Sequence, residues 1–164
     1  FILNLLKNEL FLKNYSKFNQ SKVHNMNQYF GELIKQTDGR KLYDITNDIT
    51  DWVTQQPISN GLLTLNIQHT SASLLVNENY DHDVQIDLDN FFTKIVIDGD
   101  DLFSHTAEGA DDMPAHIRTA LTQTNLSIPV KNNKIILGQW QGIFIFEHRF
   151  NDFKRKVHMH LIGE

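Results

Sequence analysis

Residues 62–69 leave this chain little latitude in what it becomes. Leu63, Leu65, Ile67 and His69 fall on alternate positions, and Thr64, Asn66 and Gln68 fill the gaps between them. A strict period of two puts the first set on one face of a β-strand and the second on the other, so this segment is a strand with one buried side. His69 then closes an apolar face. The hydroxylated run Thr70, Ser71, Ala72 and Ser73 follows, where side-chain and backbone donors can meet a ligand, and then Leu74, Val76 and Glu78 share a face of the next strand. Two successive strands are therefore expected to deliver a histidine and a carboxylate to similar places.

The rest of the chain repeats the theme. Residues 27–36 are weakly strand-like, and the turn signal at Thr37, Asp38, Gly39 and Arg40 leads to a second strand over 41–45, which predicts an opening hairpin. Thr46 suits the cap of a helix with Ile49, Trp52 and Val53 on one face. Asp81 or Asp83 opens a second helix, whose stripe of Val84, Leu88, Phe91, Phe92 and Ile95 reads as core. The acidic run from Asp98 to Asp101 reads as a solvated turn. Strands at 126–130 and 134–137 flank an Asn132-Asn133 turn. The strand over 143–150 places Glu147 and Arg149 on one face as an ion pair or an anion clamp, and the last strand, 155–162, turns Val157, Met159 and Leu161 inward with His158 and His160 outward. These elements make an α+β single domain with a largely antiparallel sheet and two to three helices.

Composition narrows the function. With 164 residues, 40% hydrophobic and 21% charged, the chain is long enough for a substantial core. A net charge of −5 without a Lys/Arg stripe argues against nucleic-acid binding. No apolar run reaches the ~20 residues that cross a bilayer, so no membrane association is expected and the reading is cytoplasmic. The absence of cysteine excludes disulfides and thiolate sites, leaving His, Asp and Glu as the ligands for any metal. Residues 1–25, rich in Asn, Lys, Phe and Leu, have no consistent apolar face and precede a Met26 that suits a translational start. They read as a dispensable extension outside a domain spanning 26–164, and not as a signal peptide.

Chemistry concentrates in residues 105–116, HTAEGADDMPAH, with two histidines, three carboxylates, a glycine and a proline. Such groups lose hydration on burial and contribute little to a core. Pro114 fits the first turn of a helix running to about residue 123, Asp111 or Asp112 fits its cap, and the free N–H groups of that turn suit a phosphate oxygen. His116 sits in the opening turn, and a sharp bend at Gly109 can bring His105 back beside it.

Three blocks, QHTSASLLVNEN at 68–79, HTAEGADDMPAHI at 105–117 and LGQWQGIFIFEHR at 137–149, resemble the signature blocks of the YjbQ-like family, also called the secondary thiamine-phosphate synthase family. The likeness runs from about residue 27 to residue 163. It implies an antiparallel α+β fold, a homotrimer and a histidine-bound divalent metal. Some members are credited with joining hydroxymethylpyrimidine diphosphate to thiazole phosphate with loss of diphosphate. The resemblance implies His69, His105 and His116 as metal ligands, with zinc suiting three imidazoles and an open position. It further implies Glu78, Glu108 and Asp112 in proton transfer, and Arg149, Ser71, Ser73 and Asn79 in holding a phosphorylated substrate. The other classes in view are a ligand-binding trimer without turnover and a metal-assisted phosphoester hydrolase.

Overall fold

A computed structural model describes residues 26–164, so the extension expected at 1–25 lies outside the described residues. The chain runs β1 (Asn27–Asp38), β2 (Lys41–Asp44), α1 (Thr46–Thr54), β3 (Asn60–Ile67), β4 (Ala72–Glu78), α2 (His82–Ile95), α3 (Asp112–Leu121), β5 (Asn125–Lys131), β6 (Lys134–Ile135), β7 (Gln141–Glu147) and β8 (Asp152–Gly163). The strands form a five-stranded sheet, β1-β8-β3-β5-β6, and a three-stranded sheet, β2-β7-β4, with every pairing antiparallel. The expected α+β architecture is what forms.

The main core lies between the two sheets. Leu63, Leu65, Ile67, Ile128, Val157 and Leu161 meet Leu74, Ile143 and Ile145, and α1 adds Ile49 and Val53. The other face of the three-stranded sheet carries Leu42, Phe144 and Phe146, covered by Leu88 and Phe92 of α2. Central β7 is thus buried on both sides, which explains its unbroken run Ile143-Phe144-Ile145-Phe146. The Asn132-Asn133 hairpin turn is confirmed, with φ of 51° and 59° as a two-residue turn between twisted strands requires.

Several local expectations are corrected. β1 and β2 are not a hairpin: β1 pairs with β8 and β2 with β7, because the turn at Gly39 passes the chain from one sheet to the other. Thr46 does not cap α1 through its hydroxyl, which accepts from the Ile143 N–H (2.8 Å), while Asp44 accepts from the Thr46 N–H (2.7 Å). The α2 stripe is only half core, since Phe91 and Ile95 are 56% and 50% exposed. β7 stops at Glu147 because that carboxylate accepts the N–H groups of His148 and Arg149 (3.0 and 3.1 Å), replacing the ladder bonds that would extend the strand. Asp98 is not solvated: both its oxygens accept from Arg40 (2.8 and 2.9 Å). No helix among the described residues is long and apolar enough to cross a membrane.

Candidate metal centre

The first turn of α3 and the loop before it build the site. Asp111 occupies the N-cap position but makes no capping bond; its Oδ2 accepts instead from the Phe150 N–H (2.8 Å) and from Arg149 Nε (3.0 Å). Burial alone would raise its pKa, but the Phe150 N–H and the Arg149 guanidinium bring it below the ordinary carboxylate value. Gly109, with φ of +112°, turns the loop just ahead of this pair, and a Cβ there would lie 3.2 Å from Asp111 Oδ1.

Asp112, one residue on, is almost wholly buried and divides its two oxygens. Oδ1 accepts from Arg149 Nη1, and Oδ2 faces His105 Nε2 at 2.8 Å and His116 Nε2 at 3.5 Å. The i, i+4 spacing on α3 places Asp112 and His116 on one helix face, and the loop returns His105 to them. One ligand atom from each of the three residues lies within 4.8 Å of the others, and they are the group among the described residues that could hold a metal ion. His116 Nδ1 lies 2.9 Å from the Thr70 carbonyl. That carbonyl can only accept, so Nδ1 carries the proton and the Nε2 lone pair is left facing Asp112 and His105. Two imidazole nitrogens and a carboxylate oxygen with an open side suit zinc or a similar divalent ion, and the donor set fits. A cavity of about 170 Å³ adjoins it, bounded by His105, Asp100, Asp101, Phe103, Thr106 and Met113.

His69 does not join this group. Its Nε2 accepts from the Lys156 N–H (3.0 Å) and its Nδ1 lies 3.3 Å from Arg155 Nη1. Burial, and then the charge of Arg155, lowers its pKa. The neighbouring Thr70 carbonyl is what this segment supplies to the centre.

Arg149 takes neither role foreseen for it. It is 6% exposed, spans Asp111, Asp112 and the Glu108 carbonyl (2.7 Å), and presents no free fork to a phosphate. Nor does its side chain pair with Glu147, whose carboxylate accepts from Thr37 Oγ1 (2.8 Å) and from Arg155 Nε (2.6 Å) and Nη2. The α3 start is a poor phosphate site: the Asp112 N–H is bonded to the Gly109 carbonyl (3.3 Å), Pro114 has none to offer, and Asp111 adds negative charge.

The remaining candidates scatter. Ser73 is fully buried with its Oγ 2.9 Å from His148 Nε2, and Ser71 Oγ accepts from Arg155 Nη2 (3.1 Å). Glu78 and Asn79 lie at the opposite end of β4 from His69, six residue steps from Ala72 to Glu78, or about 20 Å. The physical reason is chain length: His69 precedes the first residue of β4 and Glu78 is its last, so the whole strand separates them. Glu108 is exposed on the loop beside the centre. Sequence reasoning did not place Asp112 in the candidate ligand set, although its spacing from His116 was legible. It also missed Arg155, signalled by an arginine in phase with inward-facing Val157, Met159 and Leu161.

Comparison with known proteins agrees with the fold. A family model described as "UPF0047 protein YjbQ-like" matches residues 32–164. A UPF0047 protein of Synechocystis sp. is 41% identical over 132 residues, covering 80% of this chain and 90% of that protein. The UPF0047 protein YjbQ of Escherichia coli O157:H7 is 40% identical over 137 residues, covering 83% and 99%. Among solved structures, a YbjQ-like protein of unknown function from Sulfolobus solfataricus P2 shares the fold with a TM-score of 0.79 at 23% identity, over 85% of this chain and 100% of that one. An uncharacterized conserved protein of the YjbQ/UPF0047 family from Clostridium acetobutylicum gives a TM-score of 0.70 at 31% identity, over 80% and 97%. This chain therefore belongs to the YjbQ-like UPF0047 family.

Proposed function

We propose that this protein binds a divalent metal ion, zinc by donor preference, through His105, Asp112 and His116, and uses it on a phosphorylated small molecule. The observation that carries this reading is the convergence of three ligand atoms within 4.8 Å, with the His116 tautomer set by Thr70 and Asp112 oriented by Arg149. A bound ion there would supply charge neutralisation for a phosphate or diphosphate group and a lowered pKa for a coordinated water. Thr70 holds His116 in the ligating tautomer, Arg149 holds Asp112 Oδ1 so that Oδ2 faces the imidazoles, and Glu108 is the exposed carboxylate placed to move a proton. Family resemblance supports thiamine-phosphate synthesis as the reaction. One observation favours metal-assisted phosphoester hydrolysis or simple ligand binding instead: the guanidinium nearest the centre, Arg149, is sealed among carboxylates, whereas a pair of phosphorylated substrates calls for free cations.

We also propose a homotrimer. Phe91 and Ile95, one turn apart on a flank of α2, are half exposed, and Ile97 and Leu102 further along the chain are more exposed still, leaving apolar side chains that a second copy would cover. Light scattering at micromolar concentration should give three times the chain mass, and a monomer mass counts against it.

The central test is elemental analysis of the purified protein followed by a screen against phosphorylated metabolites. One equivalent of zinc, lost in His116→Ala, supports the metal reading, and full metal content in that variant refutes it. Release of diphosphate from the hydroxymethylpyrimidine substrate only when thiazole phosphate is present selects synthesis over hydrolysis.

A further inference from the structure

We propose that Asp98 is a positioning residue for the metal centre, tying the root of the loop that carries His105 to the helix that carries Asp112 and His116. The inference rests on the metal-binding reading above.

The centre is assembled from two pieces of chain with different support. Asp112 and His116 ride on α3, whose Pro114, Ala115, Arg118 and Thr119 are buried, so their backbone is fixed by packing. His105 rides on residues 96–111, a connection without strand pairing whose tip, Leu102, is almost fully exposed. Such a loop must be held at its ends if its histidine is to meet the other two ligands. The Gly99 N–H donates to the Ala110 carbonyl (2.9 Å), which draws the ends together. That bond alone does not fix the closed loop relative to α3.

Asp98 does. Its Oδ1 lies 3.4 Å from Arg118 Nη2, which also donates to the Val96 carbonyl at 2.8 Å. Arg118 stands two residues beyond His116 on α3, so loop root and ligand-bearing helix are joined half a turn from the centre. From the other side, Arg40 grips Asp98 with Nη1 and Nη2 and donates its Nε to the His148 carbonyl (3.1 Å), referring the same carboxylate to the end of β7. Arg118 is fully buried, and its Nε and Nη1 have no protein hydrogen-bond partner. A buried guanidinium with an incomplete set of partners is a weak contributor to stability, and an apolar side chain of similar volume commonly does as well. What an apolar side chain cannot do is hold an aspartate and a carbonyl of the loop root in register with α3.

The test is a double-mutant cycle on zinc affinity, measured by competition with a chromophoric chelator on the full chain, for wild type, Asp98→Asn, His105→Ala and the double variant. Asp98→Asn is expected to weaken zinc binding at least tenfold, and adding it to His105→Ala should cost nothing further, because a mispositioned His105 and a missing one are equivalent. Arg118→Met provides the same break from the helix side, with a melting temperature at or near that of wild type and zinc affinity again down tenfold. Affinities within threefold of wild type in both Asp98→Asn and Arg118→Met, or losses that add in the double variant, overturn the positioning role. If wild type itself takes up no zinc, the metal reading falls, which is a different outcome from normal uptake by every variant.

Discussion

Two buried arginine–carboxylate pairs stand close together at the end of β7, and they differ in one respect that separates structure from chemistry. Glu147 accepts from Thr37, from two backbone N–H groups and twice from Arg155, so both oxygens are fully engaged within the protein. Asp112 is as deeply buried and is also paired with an arginine, through Oδ1, yet the only bond its Oδ2 accepts is from the half-exposed His105 Nε2 (2.8 Å), with His116 Nε2 3.5 Å away. A carboxylate saturated from within fixes a fold, whereas one whose second oxygen meets only partly exposed histidines, which can exchange a proton for a metal ion, is equipped to hold something else.

The largest effect that sharpens this contrast is at Glu147. Glu147→Ala leaves Arg155 buried and unpaired and should destabilise the protein by about 3–5 kcal/mol in denaturant melts. The destabilised protein, where folded, should show the same zinc affinity as wild type; a parallel loss of affinity would show that the two networks are one.

Acid titration sharpens the contrast next. His148, enclosed beside the saturated pair, has its pKa pushed down to about 3 by burial first and then by the charges of Arg118, Arg40 and Arg155. Its folded value lies below the unfolded value of about 6.5. The unfolded chain therefore binds the extra proton between those limits, and stability present above pH ~6.5 is lost as pH falls toward 3, by on the order of a few kcal/mol. The depressed pKa of Asp111 acts in the same direction at lower pH. His148→Gln should flatten the acid limb of the stability curve between pH 6 and 4, and an unchanged limb would remove His148 as its cause.

At the unsaturated pair the effect is on affinity. Asp112→Asn should weaken zinc binding about 100-fold, or ~2.7 kcal/mol, and Arg149→Lys about tenfold through the lost orientation of Asp112. Equal zinc affinity in wild type and Asp112→Asn would erase the distinction between the two carboxylates. The smallest effect is expected at His69, where replacement by Ala should leave zinc affinity within threefold, since both ring nitrogens face donors of β8. A loss of stoichiometric metal there would return His69 to the ligand set.

Much of the fold was legible because period-two alternation has a single physical meaning. The strand at 126–130, the Asn132-Asn133 turn and the apolar face of α1 form as their patterns require, and the strand expected over 62–69 forms as far as Ile67, leaving His69 beyond its end. Pairing was not legible: Leu42 and Leu33 read alike as strand residues, and nothing local says that β1 joins β8 while β2 joins β7. The site divides the same way. His105, Asp112 and His116 stand within one twelve-residue stretch, and their density marked it. Arg149 was placed on the same face as Glu147 by strand alternation, but the strand ends at Glu147 and the assumption of a common face ends with it.

What the sequence determined by itself is therefore the inventory and its local geometry: an α+β chain of largely antiparallel strands, ligands restricted to histidine and carboxylate, and a helix that starts near Pro114 with Asp112 and His116 one turn apart. Only the tertiary structure decided the partners. It gave Arg155 to Glu147, Arg149 to Asp111 and Asp112, and the Thr70 carbonyl to His116, joining residues that lie 8, 37 or 38, and 46 positions apart in the chain. Period and capping act over a few residues and are written in neighbouring side chains. Ion pairing acts through space, and which carboxylate meets which guanidinium is fixed only when two sheets and a helix have packed.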